Sequence, residues 1–204
     1  MLESKIFEDI DAVIFDFDGT LYNKKHFAVR LLCNNISDIL LIRAERKTRA
    51  QLKGIDFFSA ENFYKNFFEK MSAELKNKYT ADFLKKWYFK KYLMALTNTL
   101  RKYYKARIGA ENLLENLAQR NIKIAVFSDY PLVAERMSAI GLNVPKILLF
   151  DAEEFGALKP SRRPFLEIAQ ALQTIPAKTL VIGDREDTDG IGAKSAGMKF
   201  YNIQ

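Results

Sequence analysis

Apolar residues fall in short blocks near the two ends of this chain and in spaced stripes through its middle. The block Ala12-Val13-Ile14-Phe15 is continuous and short, which predicts a buried strand. Four further strands are predicted after residue 108: Lys123 to Phe127, Ile147 to Phe150, Thr179 to Ile182 and Lys199 to Ile203. Between them lie helical patterns over Glu111 to Arg120, Pro131 to Ile140 with Gly141 as a stop, Arg162 to Leu172 with Ser161 as a cap, and Ile191 to Ala196 before Gly197. Strands alternating with helices predict a parallel α/β sheet with helices on both faces.

The middle of the chain reads differently. Residues 23–107 hold no strand pattern and no proline, and Gly54 is their only glycine. One long helix is predicted from Phe27 to Gln51, stopped near Gly54. Ser59 is placed to cap a second, in which Phe63, Phe67, Met71 and Leu75 recur every four residues and Tyr64 and Phe68 widen the stripe. Thr80 is placed to cap a third, with Phe83, Leu84, Trp87, Tyr88 and Met94 as its apolar face. The expectation is a helical bundle inserted into the α/β unit. Its aromatics read as core.

Composition narrows the classes. The 204 residues are 49% hydrophobic and 13% aromatic, enough for a sizeable core and against disorder. One cysteine, Cys33, excludes an internal disulfide, and one histidine, His26, argues with it against a Cys/His zinc site. The acidic start without a basic-then-apolar leader predicts no signal peptide, and Ile36 to Ile42 is too short for a membrane span. A cytoplasmic protein is the expectation. The net charge of +7 divides unevenly: residues 22–107 carry 20 Lys/Arg and 7 Asp/Glu, a balance of +13, and the rest balances to −6. Two modules fit that division.

The candidate chemistry sits at strand ends. The first strand delivers Asp16 and Asp18 to its carboxyl end, where Gly19 and Thr20 break the pattern. At average residue usage D-x-D-G-T arises at about one position in a hundred thousand. Ser128 and Asp129 end the second strand, Lys159 lies in the loop GALKP after the third, and Asp184 and Asp189 follow the fourth in GDREDTD. Ligands of such sheets bind beyond the carboxyl ends of the strands. Clustered carboxylates repel unless a cation sits among them, and oxygen donors without His or Cys suit Mg²⁺. A lysine and a hydroxyl beside that site suit phosphate oxygens. The pattern points to phosphoryl transfer, in which an ionised carboxylate needs no base to act as nucleophile.

These motifs resemble those of the haloacid dehalogenase-like hydrolase superfamily over residues 8–21 and 108–203. Asp16-Phe17-Asp18-Gly19-Thr20-Leu21, Ser128, Lys159-Pro160 and Gly183-Asp184 through Asp189 match its four motifs in order. The resemblance implies a Rossmann-like core of strand order 5-4-1-2-3, formed by residues 1–21 and 108–204, with a helical cap at 22–107. It implies Asp16 as nucleophile and Asp18 as the acid that protonates the leaving alcohol and then the base for water. Mg²⁺ would be held by Asp16, the Asp18 carbonyl and Asp184, supported by Asp189 and Thr20. Ser128, Asp129 and Lys159 would hold the phosphoryl group, the backbone N–H groups of Phe17 and Asp129 assisting. The dehalogenase branch does not use an acid at position 18, so a phosphatase acting on a small phosphate monoester is the expectation. A phosphomutase on the same core is the alternative. A nucleic-acid or acidic-surface binding module is a third reading, resting on the basic insert, but lysines spread along helices are those of a solvated face. Arg162 and Arg163 depart from the family pattern after Lys-Pro, at a helix start near the expected entrance.

Overall fold

The computed structural model describes residues 4–203. The chain forms β1 (Ala12–Asp16), then five helices, α1 (Phe27–Asn34), α2 (Ile39–Leu52), α3 (Ala60–Glu74), α4 (Ala81–Trp87) and α5 (Leu93–Tyr103). It continues through α6 (Ala110–Gln119), β2 (Lys123–Ser128), α7 (Val133–Ala139), β3 (Ile147–Asp151), α8 (Ala152–Phe155), α9 (Arg162–Ala171), β4 (Thr179–Gly183), α10 (Ile191–Ser195) and β5 (Lys199–Asn202). All strand pairs are parallel and the order is β3-β2-β1-β4-β5, which is the expected order read from the opposite edge. The fold is Rossmann-like α/β. The apolar strand blocks match the strands within a residue at each end, and the first four run directly into Asp, Ser or Gly.

Side chains alternate across the central strand. Ala12 and Ile14 face one core, shared with Phe127, Phe165, Ile168 and the helices between β1 and β2. Val13 and Phe15 face the other, with Val126, Ile182 and the apolar sides of α6 and α7. Asp16 continues the parity of Ala12 and Ile14, so it emerges under the helices that follow β1.

Those helices depart from the sequence reading in two places. The helix expected over Phe27 to Gln51 is broken. Asn35 leaves helical geometry (φ −134°), its Nδ2 donates to the Leu31 carbonyl at 2.8 Å, and a 3₁₀ turn over Ile36–Asp38 redirects the chain into α2. Asparagine bonds to nearby backbone and competes with the helical ladder. Second, Phe83 and Met94 are exposed by 46% and 56%, so they do not belong to the apolar face assigned to them. Leu84, Trp87 and Tyr88 of that face are buried as expected, and a wide turn over Tyr88–Tyr92, which joins α4 to α5, resets the phase ahead of Met94 and buries Tyr92. The Ser59 and Thr80 caps form, each accepting a backbone N–H at 3.2 Å, whereas Ser161 stands at the start of α9 without a side-chain cap bond.

Two devices tie this helical segment to the sheet. The outgoing and returning chains pair at Tyr22 and Ala106, and Arg107 donates to the Gly19 and Thr20 carbonyls at 2.7 and 2.9 Å. A buried ionic network does the rest. Arg49 of α2, 6% exposed, donates to Glu45 at 2.8 Å, to the Tyr88 hydroxyl at 2.9 Å, to the Asp129 carbonyl at 3.0 Å and to Glu153 of α8. The remaining carboxylate oxygens take Tyr64 and Tyr92 hydroxyls at 2.7 Å each. The Arg49 guanidinium also lies 3.9 Å over the Tyr130 ring. Arg163 adds a surface tie, binding Asp56 and Glu167, which accounts for one of the two arginines after Lys-Pro.

Removing the cation from a buried network leaves carboxylates uncompensated, at a cost of about 3–5 kcal/mol. Arg49→Met is expected to lower the urea unfolding free energy by that amount. Arg43→Met, on the exposed side of α2, is expected to change it by less than about 0.5 kcal/mol. Equal effects of the two variants would contradict the network's role.

Candidate active site

The loop after β1 owes its shape to Gly19. Its φ is +101°, and a Cβ there would stand 2.2 Å from Asp184 Oδ2. Only glycine permits both the backbone and the approach of β4's carboxylate. Gly183 plays a similar part from the other side, since a Cβ on it would fall 2.6 Å from the Asp189 Cβ. Small residues thus let three carboxylates, Asp16, Asp184 and Asp189, bring one oxygen each within 4.8 Å of one another.

Asp16 has both oxygens engaged: Oδ1 accepts Lys159 Nζ at 2.7 Å and Oδ2 accepts the Thr20 hydroxyl at 2.9 Å. Lys159 is 2% exposed and spends all three donors, the other two on Asp189 at 2.8 Å and the Phe127 carbonyl at 2.8 Å. Burial pushes the Asp16 carboxyl up to about 8, Asp189 adds to the rise and Lys159 opposes it. Burial also raises Asp189, with Lys159 opposing. Two buried carboxylates therefore share one ammonium.

Asp18 points away from that pair. Arg136 of α7, 1% exposed, donates Nη2 to its two oxygens at 2.6 and 2.5 Å, and the Tyr22 hydroxyl donates at 2.6 Å. Burial alone would raise the Asp18 carboxyl, but the Arg136 charge and hydrogen bonds outweigh it and hold the group below the ordinary carboxylate range. Ser128 is buried; it accepts Arg136 Nη1 at 2.7 Å and the Tyr130 N–H at 3.1 Å and donates to Asp18 at 3.3 Å. Asp129 accepts the Lys159 backbone N–H at 3.1 Å.

Asp184 is different. Oδ2 meets Lys24 Nζ at 2.5 Å, while Oδ1 is buried with no partner. A buried carboxylate oxygen without a donor is costly unless a cation or ordered water serves it. Together with the oxygen-only donor set, this fits a hard divalent ion such as Mg²⁺. Above the carboxylates lies a cavity of about 440 Å³, a size suited to a small ligand. Its outer wall carries Arg46, Lys53 and Arg185 together with Phe27, Tyr92 and Tyr130.

Every strand-end residue singled out in the sequence is brought to this place. His26 and Cys33 are exposed and stand apart from it. Sequence reasoning passed over Lys24, Tyr22 and Arg136. Arg136 lies on a short helix among polar neighbours, and no local signal separates it from a solvated residue.

The family profile of the haloacid dehalogenase-like hydrolases matches residues 10–197. The bovine (Bos taurus) haloacid dehalogenase-like hydrolase domain-containing protein 3 is 31% identical over 96 residues, 47% of this chain and 38% of that protein. The chain thus aligns with well under half of that relative's length. Among solved structures, a predicted phosphoglycolate phosphatase of Haemophilus somnus superposes with a TM-score of 0.60 at 18% identity, covering 95% of this chain and 85% of that one. L-2-haloacid dehalogenase of Xanthobacter autotrophicus gives 0.63 at 18% identity, covering 95% and 77%. These likenesses concern the fold. No helix among the described residues is long and apolar enough to cross a membrane.

The Asp16 shift has a measurable sign. Its folded value lies above the ordinary 3.8, so the native state holds a proton that the unfolded chain has released. In EDTA, stability is expected to fall as pH rises from about 5 to 8. Asp16→Asn should flatten that fall, and the difference between the two melting-temperature curves isolates Asp16. Parallel curves across this range would contradict the assignment.

Proposed function

The chain belongs to the haloacid dehalogenase-like hydrolases, and from that premise we propose that it is a Mg²⁺-dependent phosphatase of small phosphate monoesters. One observation carries the reading. A strand-end carboxylate, Asp16, stands beside a buried, partnerless oxygen of Asp184, with a second carboxylate, Asp18, two residues along the chain.

In the proposed reaction Asp16, after losing to solvent the proton that burial favours, attacks phosphorus as the carboxylate in line with the ester oxygen, forming an aspartyl-phosphate as the P–O ester bond breaks. Asp18, once it has taken up a proton from solvent and is released from its Arg136 pairing, gives that proton to the departing alkoxide. It then takes a proton from the water that attacks the acyl-phosphate, returning Asp16 and releasing inorganic phosphate. Asp16, Asp184 and the Asp18 carbonyl would hold Mg²⁺, which supplies charge stabilisation of the phosphoryl oxygens. Lys159 keeps Asp16 oriented, and Ser128 and the N–H of Asp129 supply donors at the end of β2. For Lys159 to reach a phosphoryl oxygen it must exchange one of its three present acceptors. The helical segment 22–107 acts as a cap, with Arg46 and Lys53 drawing anions into the cavity.

A second reading has its own support. Arg136 engages both Asp18 oxygens and favours the ionised form, which suits a leaving group that departs without a proton. A halide is such a group. Displacement of halide from a 2-haloacid by Asp16, followed by hydrolysis of the ester, uses the same nucleophile.

Wild type and Asp16→Asn assayed on a panel of phosphate monoesters, with Mg²⁺ and with EDTA, separate the two. Phosphate release is expected with wild type and Mg²⁺ only, and Asp16→Asn should lose at least about a thousandfold. Halide release from a 2-haloacid, without phosphate release from any monoester, would establish the second reading. Unimpaired turnover by Asp16→Asn would refute both.

A further inference from the structure

Lys24 bridges two of the oxygens that the proposed Mg²⁺ site would use. Its Nζ donates to the Asp18 carbonyl at 3.0 Å and meets Asp184 Oδ2 at 2.5 Å. Those two oxygens are main-chain and side-chain donors from different motifs, and Lys24 is the cation that joins them. The other Asp184 oxygen is buried and unserved, and the Asp184 side chain is only 5% exposed. The Lys24 side chain is 40% exposed, so its ammonium can withdraw into solvent without moving the backbone. Gly19 clears its path: a Cβ there would lie 2.9 Å from Lys24 Cδ.

From this geometry we propose that Lys24 is a resident, displaceable cation of the metal site, and that Mg²⁺ binds by expelling its ammonium. The exchange explains how the carboxylates remain compatible before the ion arrives. The carboxyl groups of Asp16, Asp18, Asp184 and Asp189 are met by three cations, Lys24, Arg136 and Lys159. Of these, Lys24 is the one that pairs with Asp184. It also sets the affinity for the ion, since every binding event must break the Lys24–Asp184 pair. Lys24 lies just ahead of α1, accepting the Phe27 N–H at 3.0 Å, so the displaced side chain stays at the point where the chain leaves the sheet. The inference rests on the proposed function only in needing a divalent ion at this place.

The test uses the full chain and MgCl₂ alone, by calorimetric titration of wild type, Lys24→Met and Lys24→Gln. Both variants are expected to bind Mg²⁺ at least about tenfold more tightly, because a competing positive charge a few ångströms from the ion is gone. Without metal they should melt at lower temperature than wild type. In parallel, mass spectrometry after acylation by an N-hydroxysuccinimide ester reads Lys24 directly in the wild-type protein. Saturating Mg²⁺ should raise labelling of Lys24 several-fold while Lys159 stays protected. Equal or weaker Mg²⁺ binding by the variants would overturn the proposal, as would unchanged Lys24 labelling at saturating Mg²⁺. If neither variant folds, the labelling result decides. Absence of phosphate release from every monoester, with Mg²⁺ bound and Lys24 freed, would count against the phosphatase reading and leave this inference standing.

Discussion

Four carboxylates meeting at the carboxyl edge of one sheet must be neutralised locally, and much of the surrounding structure serves that need. At 4–5 Å, two such charges repel by about 4 kcal/mol in a protein-like dielectric. The chain answers with three cations from three different places. Lys159, from the loop before α9, binds Asp16 and Asp189; Arg136, from α7, binds Asp18; Lys24, from the start of the helical segment, binds Asp184. Each carboxylate is thereby aimed. The pairing is uneven, with one ammonium stretched across two buried acids and one acid oxygen left without a donor. That unevenness leaves a place that an additional cation would suit.

The same loops that carry these groups are held by the helical segment. Arg49 reaches from α2 to the carbonyl of Asp129, next to Ser128, and stacks on Tyr130, whose carbonyl in turn accepts Arg136. Hydrogen bonds, the stack on Tyr130 and the Asp129–Tyr130 backbone together link the buried Glu45–Arg49–Glu153 network to the partner of Asp18. Arg107 does the same for the loop after β1 through the carbonyls of Gly19 and Thr20. The roof of the cavity and its floor are thus packed as one body, with Arg46, Lys53 and Arg185 lining the cavity as well.

The strand ends were legible because the physics that marks them is local. A run such as Ala12 to Phe15 followed by Asp-Phe-Asp-Gly needs only its own residues to announce a buried strand and a turn. Ser59 and Thr80 were legible as caps for the same reason. The helical segment was read less well. Asn35 lies inside the run read as one helix from Phe27 to Gln51, yet its side-chain bond to Leu31 ends α1. The wide turn over Tyr88–Tyr92 shifts the apolar period ahead of Met94 and leaves that residue in solvent, while Phe83, which precedes the turn, stacks on Tyr79 at the surface.

By itself the sequence determined the parallel α/β sheet, the order of its elements and the placing of Asp16, Asp18, Ser128, Lys159, Asp184 and Asp189 at one edge. Hydrophobic blocks and turn residues act over a few positions, and parallel connectivity does the rest. Only the tertiary structure decided which cation each carboxylate meets. Arg136 and Asp18 lie 118 positions apart, Arg49 and Glu153 lie 104 apart, and Lys24 differs in no local respect from Lys25 beside it. A charge on a helix or loop carries no record of its partner, because electrostatic pairing acts through space and is set by packing that brings distant segments together.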